Sequence, residues 1–232
     1  MAKKQQEQYG NSSISMLKGE DRVRKRPAVI FGSDDLEGCK HAVFEILSNA
    51  IDEAREGHGD TIIVTRYADL SVEVEDFGRG CPVDYNEKEK RYNWELVFCE
   101  MYAGGKYGEN GENYEYSLGL NGLGSCATQY ASEFFDAVIH RDGFEYTLHF
   151  EKGEITEPAE TFLHKTPYAG KKTGSKFRWR PDLEGHNCYR PSLSRQGQGA
   201  DRYRLPQAID RDDPPESDRV RSTAMPKRTN GW

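Results

Sequence analysis

The 232-residue chain has no apolar run approaching the length of a membrane span or a signal-peptide core, so no membrane partner is expected and the expected compartment is the cytoplasm. It has no CxxC pair. Its five cysteines, Cys39, Cys81, Cys99, Cys126 and Cys188, lack metal-ligand spacing, and an odd number with no paired framework points to reduced thiols. The pattern GxxxxGK[ST] is absent, which excludes a P-loop nucleotide site. A net charge of −7 argues against a chain that coats nucleic acid. With 31% charged and 35% hydrophobic residues, the composition fits a soluble chain long enough for one large domain or two small ones.

A more local absence falls in residues 41–55, HAVFEILSNAIDEAR, where no Lys or Arg occurs before Arg55. Val43, Ile46, Leu47, Ala50 and Ala54 recur at three- and four-residue spacing and predict an amphipathic helix. At about 100° per residue, Glu45, Asn49 and Asp52 lie within roughly 60° of one another on another face. That column is either an ordinary solvated face, the commoner case for a lone helix, or a site that holds a cation. The missing Lys and Arg favour the second. Asp34 followed by Glu37 resembles a capping box that would start the helix near Leu36, and Gly57 and Gly59 would end it.

Around this helix the chain reads as an antiparallel-leaning mixture of helices and strands. Residues 1–20 are polar and without period, an expected arm; RVRKRP (22–27) reads as a solvated turn or a short basic contact signal. Residues 61–67 and 71–75 predict a hairpin that delivers its end to DFGRG (76–80). There Gly78 and Gly80 permit close approach to a flat ligand and Asp76 offers an acceptor for an exocyclic amine, although a Gly-containing turn would look the same. Residues 93–103 predict a second helix, followed by Lys106 and a Gly-, Asn- and Glu-rich loop. LGLNGLG (118–124) then runs into SCATQYAS, either a phosphate-accepting set of amides before a helix or a plain glycine turn. Further strands are expected at 134–140, 146–151 and 176–180, the first two linked by a turn at Arg141-Asp142-Gly143, with Thr173 and Gly174 just ahead of the last. The order favours an α+β layer over a doubly wound sheet. Residues 185–232 hold five of the ten prolines, eight Arg to one Lys and six acidic residues, a net of +3 against −10 for the rest. That tail reads as disordered.

The ordered set EILSNAIDEA, EDFGRGCP, AGGK, LGLNGLG and KKTGS, with VRKRP near its start, closely resembles the ATPase domain of the B subunits of bacterial type IIA topoisomerases, DNA gyrase and topoisomerase IV, in the GHKL superfamily. The resemblance covers residues 9–184. It implies a two-layer α/β sandwich, helices on one face of a mixed sheet, with ATP between the layers under a lid, in a domain of residues 21–184. It further implies that Glu45 activates the attacking water and that Asn49 ligates a phosphate-bridging Mg²⁺ with Asp52 as acidic neighbour. Asp76 with Thr173 reads the adenine; Arg79, Gly80 and Pro82 flank the nucleotide; Lys106 is the lid lysine; Gly119, Gly122 and Gly124 form the phosphate loop. The implied partners are a second copy through the N-terminal arm, a topoisomerase A subunit, and DNA, with ATP-driven dimerisation coupled to strand passage. A nucleotide-binding module without useful turnover and a MutL-type repair ATPase are the alternatives, the latter matching VRKRP and YAGGKY less well.

The sequence departs from the family pattern in three places. AVIFGS (28–33) replaces GMYIGS, and Ser48 replaces the Asp often found before the metal-binding Asn. After WRPDLE the family continues into a transducer domain with a lysine for the γ-phosphate, whereas this chain enters its Arg- and Pro-rich tail. The Arg-for-Lys switch suggests a shifted reading frame or misjoined gene near Glu184, which translating the other frames of the coding DNA would test.

Overall fold

The structure is a computed structural model that describes residues 16–17, 19–103 and 122–182, and the backbone of Val220–Arg221. The arm before residue 16, the loop with Lys106 and Gly119, and the boundary expected at 184 lie outside the described residues. In chain order the elements are α1 (Asp21–Arg24), α2 (Pro27–Phe31), α3 (Leu36–Arg55), β1 (Ile62–Arg66), β2 (Val72–Asp76), β3 (Tyr85–Asn86), β4 (Arg91–Tyr92) and α4 (Asn93–Cys99), then α5 (Gly124–Tyr130), β5 (Ser132–Arg141), β6 (Phe144–Glu151), β7 (Glu154–Ile155), α6 (Ala159–Phe162), β8 (His164–Pro167), β9 (Gly174–Pro181) and β10 (Val220–Arg221).

Turn chemistry decides much of the sheet. Asp142 and Gly143 both take positive φ between β5 and β6, as do Lys152 and Gly153 between β6 and β7, the backbone of two-residue hairpin turns whose twist matches that of the strands. β1 and β2 pair as the expected hairpin. β9 runs between β2 and β5, giving the order β10-β1-β2-β9-β5-β6-β7 with β8 also on β6. The α+β sandwich is therefore as the sequence implies. Within it every described pairing is antiparallel, because tight hairpins supply β1–β2, β5–β6 and β6–β7 and β9 opposes both neighbours.

One face of the sheet carries the apolar residues. Val74, Phe135, Ala137, Ile139, Tyr146, Leu148, Phe150, Phe177 and Trp179 pack with Ile46 and Ala50 of α3 and with Trp94 and Phe98 of α4. Phe98, with no exposure, sits 5.6 to 5.8 Å from the rings of Phe135, Phe150 and Phe177, tilted contacts that suit aromatic quadrupoles. α4 is shorter than the helix expected for 93–103. Glu100 turns extended and Tyr102 takes a φ of 67°, while the Tyr130 hydroxyl donates to the Cys99 carbonyl at 2.6 Å and satisfies a helix-end acceptor.

Two other local expectations are corrected. The N-cap of α3 is Asp35, not Asp34: Asp35 has extended φ/ψ and its carboxylate accepts from the Glu37 amide at 2.9 Å. RVRKRP is only in part the solvated turn expected: Arg22, Lys25 and Arg26 are exposed, whereas Val23, Arg24 and Pro27 are buried. Its residues form α1 and the start of α2, and Arg24 is 6% exposed, held by polar partners inside the fold. A second apolar cluster joins α1, α2, α3 and α5, with Val23, Phe31, Ala42, Cys126, Ala127, Tyr130 and Ala131.

The opposite face of the sheet is charged. Cross-strand register sets Glu73 beside Arg178, Arg178 beside Asp136 and Asp136 beside His149, a row of alternating sign on β2, β9, β5 and β6. Partial burial of His149 disfavours its charged form, but the carboxylates of Asp136 at 2.6 Å and Glu151 at 3.4 Å outweigh that and raise its pKa above the usual imidazole value. A raised folded-state value means that the stabilisation is complete at pH below the unfolded value and disappears as the pH climbs through the folded one. His149→Gln should therefore lower the melting temperature at about pH 5 and converge on the parent at about pH 9. Thermal melts across that range check this; a deficit independent of pH would contradict it.

Candidate functional site

α3 is apolar toward both clusters, with Ile46 and Ala50 on the sheet side and Ala42 toward α2 and α5. Between those contacts runs the polar column. Glu45 keeps 24% of its side chain exposed, Asn49 is half-buried and Asp52 is 5% exposed. The N-terminal end of α5 lies against this column. A Cβ on Gly124 would sit 2.5 Å from Glu45 Oε2 and 2.9 Å from its Cβ, so only glycine fits there. The Asn49 amide Nδ2 donates to Ser125 Oγ at 3.5 Å, which leaves Asn49 Oδ1 as an acceptor. Ser48, the departure noted above, is buried and donates back to the Glu45 carbonyl at 2.9 Å, so its hydroxyl is satisfied within the helix.

One member of the site was missed in the sequence. His41, one turn before Glu45, places Nδ1 3.1 Å from the Phe31 carbonyl and Nε2 3.1 Å from Glu45 Oε1. The carbonyl and the carboxylate can both only accept, so the ring lies between two acceptors that orient it. The i, i+4 spacing of His41 and Glu45 is the signal that could have found it.

At the other end of the site, β2 terminates at Asp76. Its Oδ1 accepts from the Gly78 amide at 2.9 Å and the Ser175 amide at 3.2 Å. Burial pushes the carboxyl above the ordinary Asp range; the two amides oppose that shift and the neighbouring Glu53 carboxylate adds to it. Gly174 lies across the Asp76 backbone with a φ of 132°, and a Cβ there would be 2.1 Å from the Asp76 carbonyl oxygen. Thr173 is exposed, and the residue that meets the Asp76 carboxylate is Ser175, whose Oγ also accepts from the Cys81 amide at 2.9 Å. The strand that begins at Gly174 carries Ser175 alongside Asp76, whereas Thr173 precedes it.

Arg79 is committed to α3. It donates to Glu53 at 2.7 and 2.8 Å and to Glu56 at 2.6 Å, and its hydrogen bond to Glu53 holds that carboxyl below the usual range. Gly80, with φ 81°, packs its Cα against the His140 carbonyl, and its own carbonyl accepts from Arg141 at 2.7 Å. Pro82 is exposed, and burial raises the Cys81 thiol to about 12. Gly122 takes a φ of 57°, and its carbonyl accepts from the Tyr102 amide at 3.1 Å. The structure thus brings Glu45, Asn49 and Gly124 together, sets Asp76 and Arg79 near the end of α3 and places Gly80 against the end of β5. Lys106 and Gly119 lie outside the described residues. Among the described residues no group of three or more His, Cys, Asp or Glu side chains could hold a metal ion, and no helix is long and apolar enough to cross a membrane.

A family model described as histidine kinase-, DNA gyrase B- and HSP90-like ATPase matches residues 34–185. The B subunit of DNA topoisomerase 4 from Staphylococcus epidermidis is 42% identical over 179 residues, 77% of this chain and 26% of that protein. The B subunit of DNA gyrase from Thermotoga maritima is 40% identical over 176 residues, 76% of this chain and 27% of the relative. The chain spans about a quarter of the length of these curated relatives. The crystal structure of the 43K ATPase domain of Thermus thermophilus gyrase B, in complex with an aminocoumarin, superposes with a TM-score of 0.58 at 32% identity, covering 76% of this chain and 43% of that one. With two thirds of its length matched by the family model, an antiparallel sheet under helices and a polar column on α3, the chain belongs to the histidine kinase-, DNA gyrase B- and HSP90-like ATPase family.

Proposed function

We propose that the chain binds ATP with Mg²⁺ between α3 and the sheet and hydrolyses it, as the nucleotide-binding part of the B subunit of a type II DNA topoisomerase. The observation that carries this is the meeting of Glu45, Asn49 and Gly124 on one side of α3 with Asp76 held by backbone amides at its far end. Asp76 reads the adenine: its carboxylate accepts from the exocyclic amine while Gly78 and Ser175 fix its orientation. Asn49 Oδ1 is a suitable oxygen for Mg²⁺, which takes few protein ligands when phosphates supply the rest; that agrees with the lack of a carboxylate cage among the described residues. When bound, the metal neutralises charge on the phosphates. Glu45 orients the attacking water and accepts its proton, and His41 orients Glu45. Phosphoryl transfer to water needs little more than such positioning and charge neutralisation.

The relatives carry both topoisomerase IV and gyrase names at similar identity, so the reading is the shared activity: ATP-driven pairing of two copies through the N-terminal arm, coupled with an A subunit to passage of one DNA duplex through another. Lys106, Gly119 and Gly122 complete the phosphate side in this reading, and Arg79, Gly80 and Pro82 flank the base, with Asp52 beside the metal and Thr173 near the adenine reader.

Asp76→Asn presents an amide where the adenine amine needs an acceptor, and should weaken ATP binding by about 1–3 kcal/mol. Calorimetry of the parent and variant with ATP and GTP checks it; equal affinity of the parent for both nucleotides would remove Asp76 from this role.

Glu45→Gln keeps the shape of the site and loses the proton acceptor. In a chain extended to the length of its relatives, ATP and Mg²⁺ should still bind while phosphate release falls by roughly 10²–10⁴-fold. Asn49→Ala should weaken Mg²⁺-dependent nucleotide binding as well as turnover. Equal, modest losses of binding in both variants with turnover per bound ATP intact would return the column to a solvated face. A parent that binds ATP and never hydrolyses it would favour a nucleotide-binding module.

A further inference from the structure

Arg24 is not among the residues proposed to bind the nucleotide, yet it reaches the end of the short helix α5 opposite the one that packs on Glu45. Its Nη1 donates to the carbonyls of Tyr130 at 2.9 Å and Ser132 at 3.3 Å, and its Nη2 is paired with the Asp182 carboxylate. Both charges are almost fully buried, with side-chain exposures of 7% and 3%. Tyr130 is the last residue of α5, so its carbonyl is one of the helix-end acceptors without a partner inside the helix. Two further bonds close the same end. The Asp182 amide donates to the Ala131 carbonyl at 3.0 Å, and Ser132 Oγ donates to the Thr128 carbonyl at 2.6 Å.

Seven residues are too few for a helix to hold its own position, because so short a segment is unstable without tertiary contacts. One end of α5 is fixed by Arg24 and Asp182. The other places Gly124 against Glu45 and Ser125 against Asn49. We propose that Arg24, anchored by Asp182, is a positioning residue that sets α5 and through it the geometry of Glu45 and Asn49. This deepens the ATPase reading and rests on it for its functional consequence. A buried pair is weak evidence of net stabilisation, since desolvation offsets much of its attraction; its value here is the register it imposes on α5. Removing the Asp182 charge leaves the guanidinium buried without that counter-ion, free to leave the Tyr130 carbonyl.

The test uses Arg24→Lys, which keeps the charge but cannot span both carbonyls and Asp182, and the isosteric Asp182→Asn, which preserves shape if the lysine variant fails to fold. Two readouts are taken on the full chain. Amide hydrogen exchange should accelerate in α5 and not in β5 or β9, and affinity for a non-hydrolysable ATP analogue with Mg²⁺ should fall about tenfold while affinity for adenosine, read by Asp76, is unchanged. Equal loss of both affinities, or acceleration spread across the sheet, would make the pair a general stabiliser and overturn the proposal. Unchanged exchange in α5 would overturn it as well. A parent that binds no adenine nucleotide would sink the ATPase reading, and the exchange measurement would still decide the role of Arg24.

Discussion

Everything in this fold depends on α3 being buried from two sides at once. Ile46 and Ala50 are needed by the sheet, and Ala42 is needed by the smaller cluster with Phe31, Cys126 and Ala127. Besides an exposed face with Glu37, Lys40 and Phe44, a helix squeezed in this way has a strip of polar groups that is neither solvent nor core. Asp52 is 5% exposed there and Glu45 only partly accessible. Carboxylates are held in such a place at a cost in solvation. The family's chemistry is a reason to bear it.

Glycines carry the second constraint. Gly124 and Gly174 are placed where a methyl group would collide, with Glu45 in one case and with the backbone of Asp76 in the other. They permit two close approaches: α5 comes within contact of the general-base candidate, and β9 comes near enough for its Ser175 amide to grip Asp76. Gly78 similarly lies on the stem of Glu53, where a Cβ would be 2.3 Å from its Cγ, and so allows Arg79 to close its clamp on α3.

Periodicity made α3 legible, and alternation with turn chemistry made the β1–β2 and β5–β6 hairpins legible. The start at Leu36 and the turn at Asp142–Gly143 follow from local rules alone. What was not legible depends on contacts between distant segments. Nothing near Arg24 announces that its partner is Asp182, more than 150 positions on, so a basic run looked solvated. Thr173 and Ser175 are two hydroxyl residues on either side of a glycine, and only the register of β9 against β2 shows which one meets Asp76. α4 ends early because Tyr130, from another helix, supplies its cap. The site itself was legible as a resemblance of motifs, while its roles are properties of geometry toward a nucleotide.

A crystal structure of this chain with a non-hydrolysable ATP analogue and Mg²⁺ tests the proposed nucleotide site most directly. The adenine amine is expected on the Asp76 carboxylate, the metal on Asn49 Oδ1, and a water held by Glu45 in line with the terminal phosphate. A nucleotide bound on the charged open face near Arg178 and His149, with Glu45 and Asp76 untouched, would contradict it.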